Sequence, residues 1–294
     1  MKFALMFANA AFPDAKGAAR LGRLAEEAGF DSVITVEHVI WPTAYSSAYP
    51  YSPTGKIPGN PATPLPDPLI WMAWVAATTT RLKFMTGVVI LPQRNPLVLA
   101  KEVATLDHLS GGRIELGIGV GWLKEEFDAL GVPFEQRGKR ADEYIGAMRA
   151  LWSADNASFA GNFVKFSGVS SNPKPPRGNV PIIVGGHSEA AAQRAGRLGD
   201  GFFPLSAGQG EIGTLIDIMK RAADKAGRDG AAIGVTTTCP GLSPKKGGDP
   251  RPAIEERVAQ GVSRVVVPVA SFMPDLEDSL PRFGEQVIRP FAGA

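Results

Sequence analysis

NPLVLAKEVATLDHLSGGRIELGIGV, residues 95–120, contains one helix and one strand with the signals that separate them. An asparagine followed by a proline is a typical helix start, and apolar residues then recur at helical spacing. The pair Gly111-Gly112 ends the helix. The run Arg113–Val120 that follows is short and apolar, as in a strand that is covered on both faces.

The same alternation extends outward in both directions along the chain. The eight predicted strands are Lys2–Ala8, Asp31–Glu37, Leu82–Leu91, Arg113–Val120, Pro181–Gly185, Asp200–Pro204, Ile233–Cys239 and Arg264–Ala270. Eight strands alternating with helices over 294 residues predict an α/β fold of the (β/α)8 TIM-barrel type. A doubly wound open sheet gives a similar pattern, but the strand count and the length favour the barrel. Residues 1–294 are predicted to form a single domain.

Two insertions interrupt the alternation. Trp41–Pro66 follows the second strand and is rich in Pro, Tyr, Ser and Gly; Asn156–Pro176 follows the fourth and has room for a hairpin at Ser158–Phe166. The first insertion begins at the carboxyl end of a strand, which is the catalytic face of a TIM barrel. It is therefore interpreted as a cover or wall of a substrate pocket. The alternative is an insertion that only packs or mediates dimer contacts.

The composition narrows the function classes. The formal net charge is +2 without a long basic or acidic run, so a nucleic-acid partner is not expected. No apolar run is long enough to predict a membrane span, and Lys2–Ala8 is interpreted as a strand rather than as a signal peptide. The single cysteine, Cys239, allows no internal disulfide and fits a cytoplasmic location.

Of the three histidines, His38 is the candidate for proton chemistry. His38 follows the second predicted strand, at the mouth of the barrel, where an imidazole can exchange protons near neutral pH. The alternative role for His38 is purely structural. His108 lies near a helix end, where a cation is favourable, and His187 follows the fifth strand.

Glycines mark two strand ends. Gly185-Gly186-His187-Ser188 precedes a helix, and such a turn lets backbone N–H groups approach a phosphate. Gly119 and Gly121 belong to a G-x-G-x-G run that lacks the spacing of a dinucleotide fingerprint. These glycines are interpreted as leaving room for a flat ring across the strand ends. No metal-binding motif is present.

These segments together resemble the luciferase-like family of oxidoreductases. The likeness rests on five blocks, Lys101–Arg113, Gly117–Trp122, Glu125–Phe127, Arg137–Glu143 and Pro181–Phe202. It implies a TIM-barrel enzyme that binds FMN or the deazaflavin coenzyme F420 at the carboxyl ends of the strands. It also implies a homodimer.

The resemblance assigns roles to individual positions. It implies that Glu37 and His38 meet the cofactor ring, with His38 catalytic, and that a non-prolyl cis peptide around Val88 and Val89 supports the ring from behind. The turn from Gly185 to Ser188 would hold the cofactor phosphate. Trp41, Tyr45, Trp122 and Ser206 are the predicted substrate-pocket residues.

Departures from the family bear on cofactor and substrate. Val120 stands where bacterial luciferases carry an arginine for the FMN phosphate, which favours coenzyme F420. Trp122 and Gly208 stand where F420-dependent sugar-phosphate dehydrogenases carry an acid and a lysine. A phosphorylated substrate is therefore not expected. The expected substrate is a small organic molecule that exchanges a hydride with the cofactor.

Two alternatives to hydride transfer with F420 stay open. One is a monooxygenase that uses O2 and reduced FMN from a partner reductase. The other is a non-catalytic flavin-binding protein on the same barrel.

Overall fold

The eight predicted strands are confirmed and form a closed parallel barrel. A computed structural model describes residues 1–205 and 209–291. The barrel strands, called the first to the eighth below, are Lys2–Met6, Ser32–Thr35, Lys83–Thr86, Ile114–Gly119, Ile182–Gly185, Gly201–Phe203, Gly234–Thr238 and Arg264–Pro268. Each strand pairs with the next along the chain, and the eighth pairs with the first.

The register shows how the barrel closes. Lys2 lies opposite Arg264 on one side of the first strand, and Ala4 lies opposite Ser32 on the other. After the third strand, a two-residue strand at Val89–Ile90 pairs with the fourth. This extension continues the pairing of the third strand with the fourth beyond Gly87 and Val88.

Helices cover the barrel and begin where the local sequence predicts. Asn95 caps its helix by accepting from two backbone N–H groups, and Gly111 ends that helix in the left-handed region with φ 73°. The α-helices are Ala8–Ala11, Ala15–Ala28, Pro68–Ala76, Pro96–Ser110, Lys124–Ala129, Arg137–Ser153, Glu189–Leu198, Gln209–Lys225, Arg251–Ala259, Leu276–Phe283 and Arg289–Phe291. A π-helical turn, Gly284–Ile288, joins the last two.

The barrel interior is a separate small core. It is filled by one or two apolar side chains from most strands, namely Ala4, Met6, Ile34, Met85, Ile183, Phe203 and Val266. Three half-buried side chains, Val36, Val88 and Leu205, lie against this core. We call these three the floor, because they follow the carboxyl ends of their strands and form the base of the barrel mouth.

A buried arginine and its ion pairs lie at the amino-terminal end of the barrel. The buried guanidinium of Arg264 contacts Asp31 at 3.1 Å, Glu115 at 2.6 Å and the hydroxyl of Thr236 at 3.1 Å. Groups at this end of a TIM barrel stabilise the fold rather than take part in chemistry.

Both insertions occur where the sequence predicts them. Residues 41–66 contain no helix or strand of their own, and the second insertion forms an antiparallel hairpin of Ala157–Ala160 and Lys165–Val169. Glu143 holds the hairpin turn by accepting from three backbone N–H groups of residues 162–164. Within the described ranges, none of the helices has the length and apolar character that crossing a membrane requires.

Candidate active site

The mouth of the barrel has an apolar base in which Val88 is central. The Gly87–Val88 peptide bond is cis, at the place where the family resemblance implies one. The two methyl groups of Val88 lie beside Gly119 and Gly185. A Cβ atom at either glycine would come within 2.6 Å of a Val88 methyl group. Neither position can therefore carry a side chain while Val88 stays where it is.

Protein side chains pack closely against Gly119 and Gly121. The space beside Gly119 is filled by Val88, and a Cβ atom at Gly121 would lie 2.5 Å from the ring of Phe127. These glycines thus leave room for protein side chains, and their contact with a flat ring stays a prediction. Val89 is fully buried in the outer core, whereas Val88 reaches the floor.

Glu37 is engaged by the protein itself. Its carboxylate forms an ion pair with Arg94 and accepts from the backbone N–H of Ile90 at 2.8 Å. Arg94 also contacts Asp67 at 2.8 Å. Burial raises the pKa of Glu37, and the charge of Arg94 opposes that rise. These ion pairs and the hydrogen bond connect the end of the second strand to the segment that follows the third strand.

His38 has a buried carboxylate as its partner. Its Nδ1 lies 3.2 Å from Oε2 of Glu126, whose residue is 1% exposed. The other oxygen of Glu126 accepts from the backbone N–H groups of Val39 at 2.7 Å and Ile40 at 3.3 Å. Burial by itself would raise the pKa of Glu126. The hydrogen bonds from His38 and Ile40 outweigh burial and keep the pKa below its ordinary value.

Aromatic rings extend from His38 across the mouth. We call Trp41, Tyr45, Tyr49, Tyr51 and Trp122 the aromatic cover. The centroid of the Trp122 ring lies 6.0 Å from that of His38 and 5.2 Å from that of Tyr49. Burial raises the pKa of both Tyr49 and Tyr51, so their hydroxyls stay neutral. The first insertion therefore lies over the mouth as a wall of rings.

The aromatic cover is continuous with the fifth strand and is anchored by a short helix. Tyr51 stacks edge-on against His187 with centroids 5.0 Å apart. On helix Lys124–Ala129, one oxygen of Glu125 accepts from the backbone N–H groups of Ser46 at 2.6 Å and Ser47 at 3.1 Å. Hydrogen bonds from Ser47 and Ser46 lower the pKa of Glu125 to about 2.

Tyr45, a predicted substrate-pocket residue, is hydrogen-bonded within the first insertion. The hydroxyl of Tyr45 accepts from the backbone N–H of Ile57 at 2.9 Å, so it stabilises the insertion, while its ring lies 6.0 Å from Trp122. Ser206 lies outside the described residues, as does Gly208.

The turn after the fifth strand has the form expected of an anion cradle. Gly186 has φ 124°, and Ser188 caps the following helix by accepting from the N–H of Ala191 at 3.2 Å. His187 is exposed. A flat apolar floor beside a helix amino terminus fits a ring that carries a phosphate tail.

Arg137 supplies a cation that sequence reasoning missed. Its Nε donates to the carbonyl of Gly121, at the end of the fourth strand, at 3.0 Å. Its guanidinium stacks on Phe134 at 3.8 Å from the ring centroid. The only sequence signal for this placement was the position of Arg137 in one of the blocks that resemble the luciferase-like family.

A cavity of about 310 Å³ opens beside His38. It is lined by the Glu37, Asp67 and Arg94 group and by apolar side chains of Val39, Leu65, Pro68 and Leu130. The amide oxygen of Gln93, also in this lining, is buried and has no hydrogen-bond partner among the described residues. A larger hollow of about 440 Å³ lies away from His38, between helix Arg137–Ser153 and the hairpin. Its carboxylates are already paired, so it is not where the candidate chemistry concentrates.

Sequence comparisons identify one protein family and several relatives. The profile described as luciferase-like monooxygenase matches residues 1–241. An uncharacterized protein of Mycobacterium tuberculosis is 36% identical over 208 residues, which are 71% of this chain and 72% of that protein. An FMNH2-dependent dimethylsulfone monooxygenase of Pseudomonas fluorescens is 31% identical over 219 residues, 74% of this chain and 55% of the relative.

Solved structures with the same fold include a monooxygenase and a coenzyme F420-dependent reductase. Monooxygenase RslO1 of Streptomyces bottropensis aligns with a TM-score of 0.78 and 26% identity, covering 99% of this chain and 100% of that one. The coenzyme F420-dependent tetrahydromethanopterin reductase of Methanopyrus kandleri aligns with a TM-score of 0.75 and 18% identity, covering 99% of each chain. The second likeness bears on the fold alone.

Proposed function

The chain belongs to the luciferase-like monooxygenase family, and we propose that it is an FMN-dependent monooxygenase acting on an uncharged, ring-containing organic substrate. It is a flavin- or deazaflavin-type oxidoreductase of that family. The choice of FMN reverses the preference for coenzyme F420 that Val120 suggested. The observation that carries this choice is the position of Arg137. Val120 has no charge to offer an FMN phosphate, but Arg137 brings a guanidinium to the end of the fourth strand.

The relatives support the same choice. The Pseudomonas fluorescens relative is FMNH2-dependent, and RslO1 is a monooxygenase. The second candidate remains an F420-dependent hydride transfer, favoured by the Glu37-His38 pair. Glu37 supports it less than the sequence suggests, because its carboxylate is held by Arg94 and Ile90.

The site residues would hold FMN in two places. The ring would lie on Val88 and its neighbours in the floor, and the phosphate would lie between Arg137 and the turn from Gly186 to Ser188. Reduced FMN supplies the electrons with which O2 is activated. The protein orients the substrate, and His38 holds or moves a proton at an imidazole nitrogen.

The substrate class follows from the aromatic cover. Trp41 and Trp122 flank His38, with ring centroids 6.2 Å and 6.0 Å from it. Such rings bind apolar, ring-containing molecules and exclude water from the mouth. The cavity beside His38 is of a size that suits a small organic molecule.

Two partners belong to the proposal. Reduced FMN would come from a separate reductase. A second copy of the chain would cover helix Pro68–Ala76, which is apolar on every face and yet leaves Ile70 74% and Trp74 54% exposed. Light scattering tests this dimer, and Trp74→Asp is expected to shift the protein to monomers.

Titration of the apoprotein with FMN and with coenzyme F420, followed by tryptophan fluorescence, tests the cofactor. We expect FMN to bind more tightly, and Arg137→Gln to weaken FMN about 10- to 100-fold, because a charge-assisted phosphate contact is lost. Arg23→Gln, on an exposed helix face, is the matched control. Tight binding of coenzyme F420 without binding of FMN would overturn the proposal. An unchanged FMN affinity in Arg137→Gln would remove Arg137 from it.

A further inference from the structure

The contact between His38 and Glu126 has a defined direction. A carboxylate has no proton to donate, so at the 3.2 Å contact the hydrogen must belong to Nδ1 of His38. A neutral imidazole that carries its proton on Nδ1 has its lone pair on Nε2. The two nitrogens point in different directions from the ring, so that lone pair faces away from Glu126.

The orientation of Glu126 is itself fixed. One of its oxygens, Oε1, accepts from two backbone N–H groups, those of Val39 and Ile40, which leaves Oε2 for His38. Since these two residues directly follow His38, the same side chain fixes the imidazole and the backbone that carries it. The residue is nearly completely buried, so water does not compete for either oxygen.

Other charged groups near His38 are occupied elsewhere. Glu37 and Asp67 both pair with Arg94. On the helix that carries Glu126, the adjacent Glu125 bonds to Ser46 and its neighbour in the first insertion. Among the described residues, Glu126 is therefore the carboxylate that sets the state of the His38 ring.

We propose that Glu126 is a positioning residue that keeps His38 in the Nδ1–H tautomer, so that Nε2 accepts a hydrogen bond or proton from the bound substrate. The use of Nε2 in catalysis rests on the proposed function; the tautomer does not. The proposal also adds to the substrate class. The group that meets His38 is a hydrogen-bond donor, such as a hydroxyl or an N–H, on an otherwise apolar molecule.

Glu126→Gln gives a specific expectation because of the two backbone bonds. The amide oxygen of the glutamine is expected to take the place of Oε1, because the N–H groups of Val39 and Ile40 require an acceptor there. The amide NH2 group then takes the place of Oε2 and faces Nδ1 of His38. That group donates, and Nδ1 must then accept. The proton of His38 is expected to move from Nδ1 to Nε2.

Nitrogen-15 NMR of histidine-labelled protein at neutral pH tests this directly. The chain has three histidines, His38, His108 and His187, and a His38→Gln sample identifies the signals of His38. The wild type is expected to show an Nδ1–H, lone-pair Nε2 pattern, and Glu126→Gln the reverse. Glu125→Gln is the matched control, because it neutralises the neighbouring carboxylate without touching His38 and should keep the wild-type pattern.

Three results would overturn the proposal: an Nε2–H pattern in the wild type, a ring protonated on both nitrogens in the wild type at neutral pH, or the same pattern in the wild type and in Glu126→Gln. Glu126→Asp keeps a carboxylate and should keep the wild-type tautomer, which separates the loss of the carboxylate from a general effect of substitution at position 126. The NMR sample needs neither cofactor nor substrate. Failure of the FMN titration would therefore count against the proposed function and leave the tautomer test unaffected.

Discussion

Replacing Glu125 with alanine should release the first insertion from the helix that anchors it. One oxygen of Glu125 accepts three hydrogen bonds, from the N–H groups of Ser46 and Ser47 and from the hydroxyl of Ser46 at 3.0 Å. Glu125→Ala removes all three. Glu125→Gln keeps an amide oxygen in the same place and removes only the charge, so the two variants form a graded pair.

The size of the effect can be estimated from these contacts. A hydrogen bond to a charged group contributes about 1.5–3 kcal/mol to stability. Three bonds to one exposed carboxylate contribute less in total than three times this value, because solvent screens the charge. We therefore expect Glu125→Ala to lower the free energy of local opening by about 2 kcal/mol, and Glu125→Gln by less than about 1 kcal/mol. About 2 kcal/mol corresponds to roughly 30-fold faster amide exchange at residues 46 and 47.

Hydrogen exchange followed by mass spectrometry measures this opening. The carboxylate has a pKa of about 2 in the folded protein against 4.5 for an ordinary glutamate. Its contribution is complete above the ordinary pKa and is lost as the pH falls from there toward 2. Equal exchange over residues 45–48 in the wild type and Glu125→Ala at pH 7 would refute the anchoring role. So would a Glu125→Gln effect as large as that of Glu125→Ala.

Three further changes test other parts of the site and fold. His38→Ala should lower turnover at least about 100-fold and change FMN affinity little, as titration and oxygen consumption would show; full activity would exclude a catalytic His38. Glu37→Gln should lower the free energy of unfolding in urea by about 2 kcal/mol, because the half-buried Arg94 loses the charge of its buried partner, and no loss would mean that the pair is neutral to stability. Burial opposes the charge of Glu26, but N–H groups of residues 80–82 hold its pKa at about 2. The stability lost in Glu26→Gln at pH 7, about 1–2 kcal/mol, should therefore vanish as the pH falls from about 4.5 toward 2, and a pH-independent difference would contradict this.

The fold could be predicted because its signals are local. Asn95 and Gly111 mark the ends of a helix by side-chain capping and by a left-handed φ, and neither depends on distant residues. Strand lengths were less accurate. The second strand covers Ser32–Thr35 instead of Asp31–Glu37, because hydrophobicity continues past the point where the chain leaves the barrel and turns into the mouth.

The site could be predicted only where a position follows from the order of strands. His38 was found because it follows a strand end. Glu126, its partner, is 88 residues further along the chain, and no local pattern reports which side chain will face it. Arg137 was missed for the same reason. The contact of Gly119 with Val88 could not be predicted either, because only three-dimensional packing brings the two residues together.

Because Val88 packs directly against Gly119 and Gly185, the side chains allowed at these three positions depend on one another in any redesign of this enzyme. A smaller side chain at position 88 would deepen the mouth, and a larger one would make it shallower. A methyl group at either glycine has no room unless position 88 shrinks with it, since each added Cβ atom would lie 2.6 Å from a Val88 methyl group. Libraries that vary Gly119 or Gly185 alone will therefore contain mostly damaged proteins, and side chains at these two positions become possible only when position 88 is varied with them.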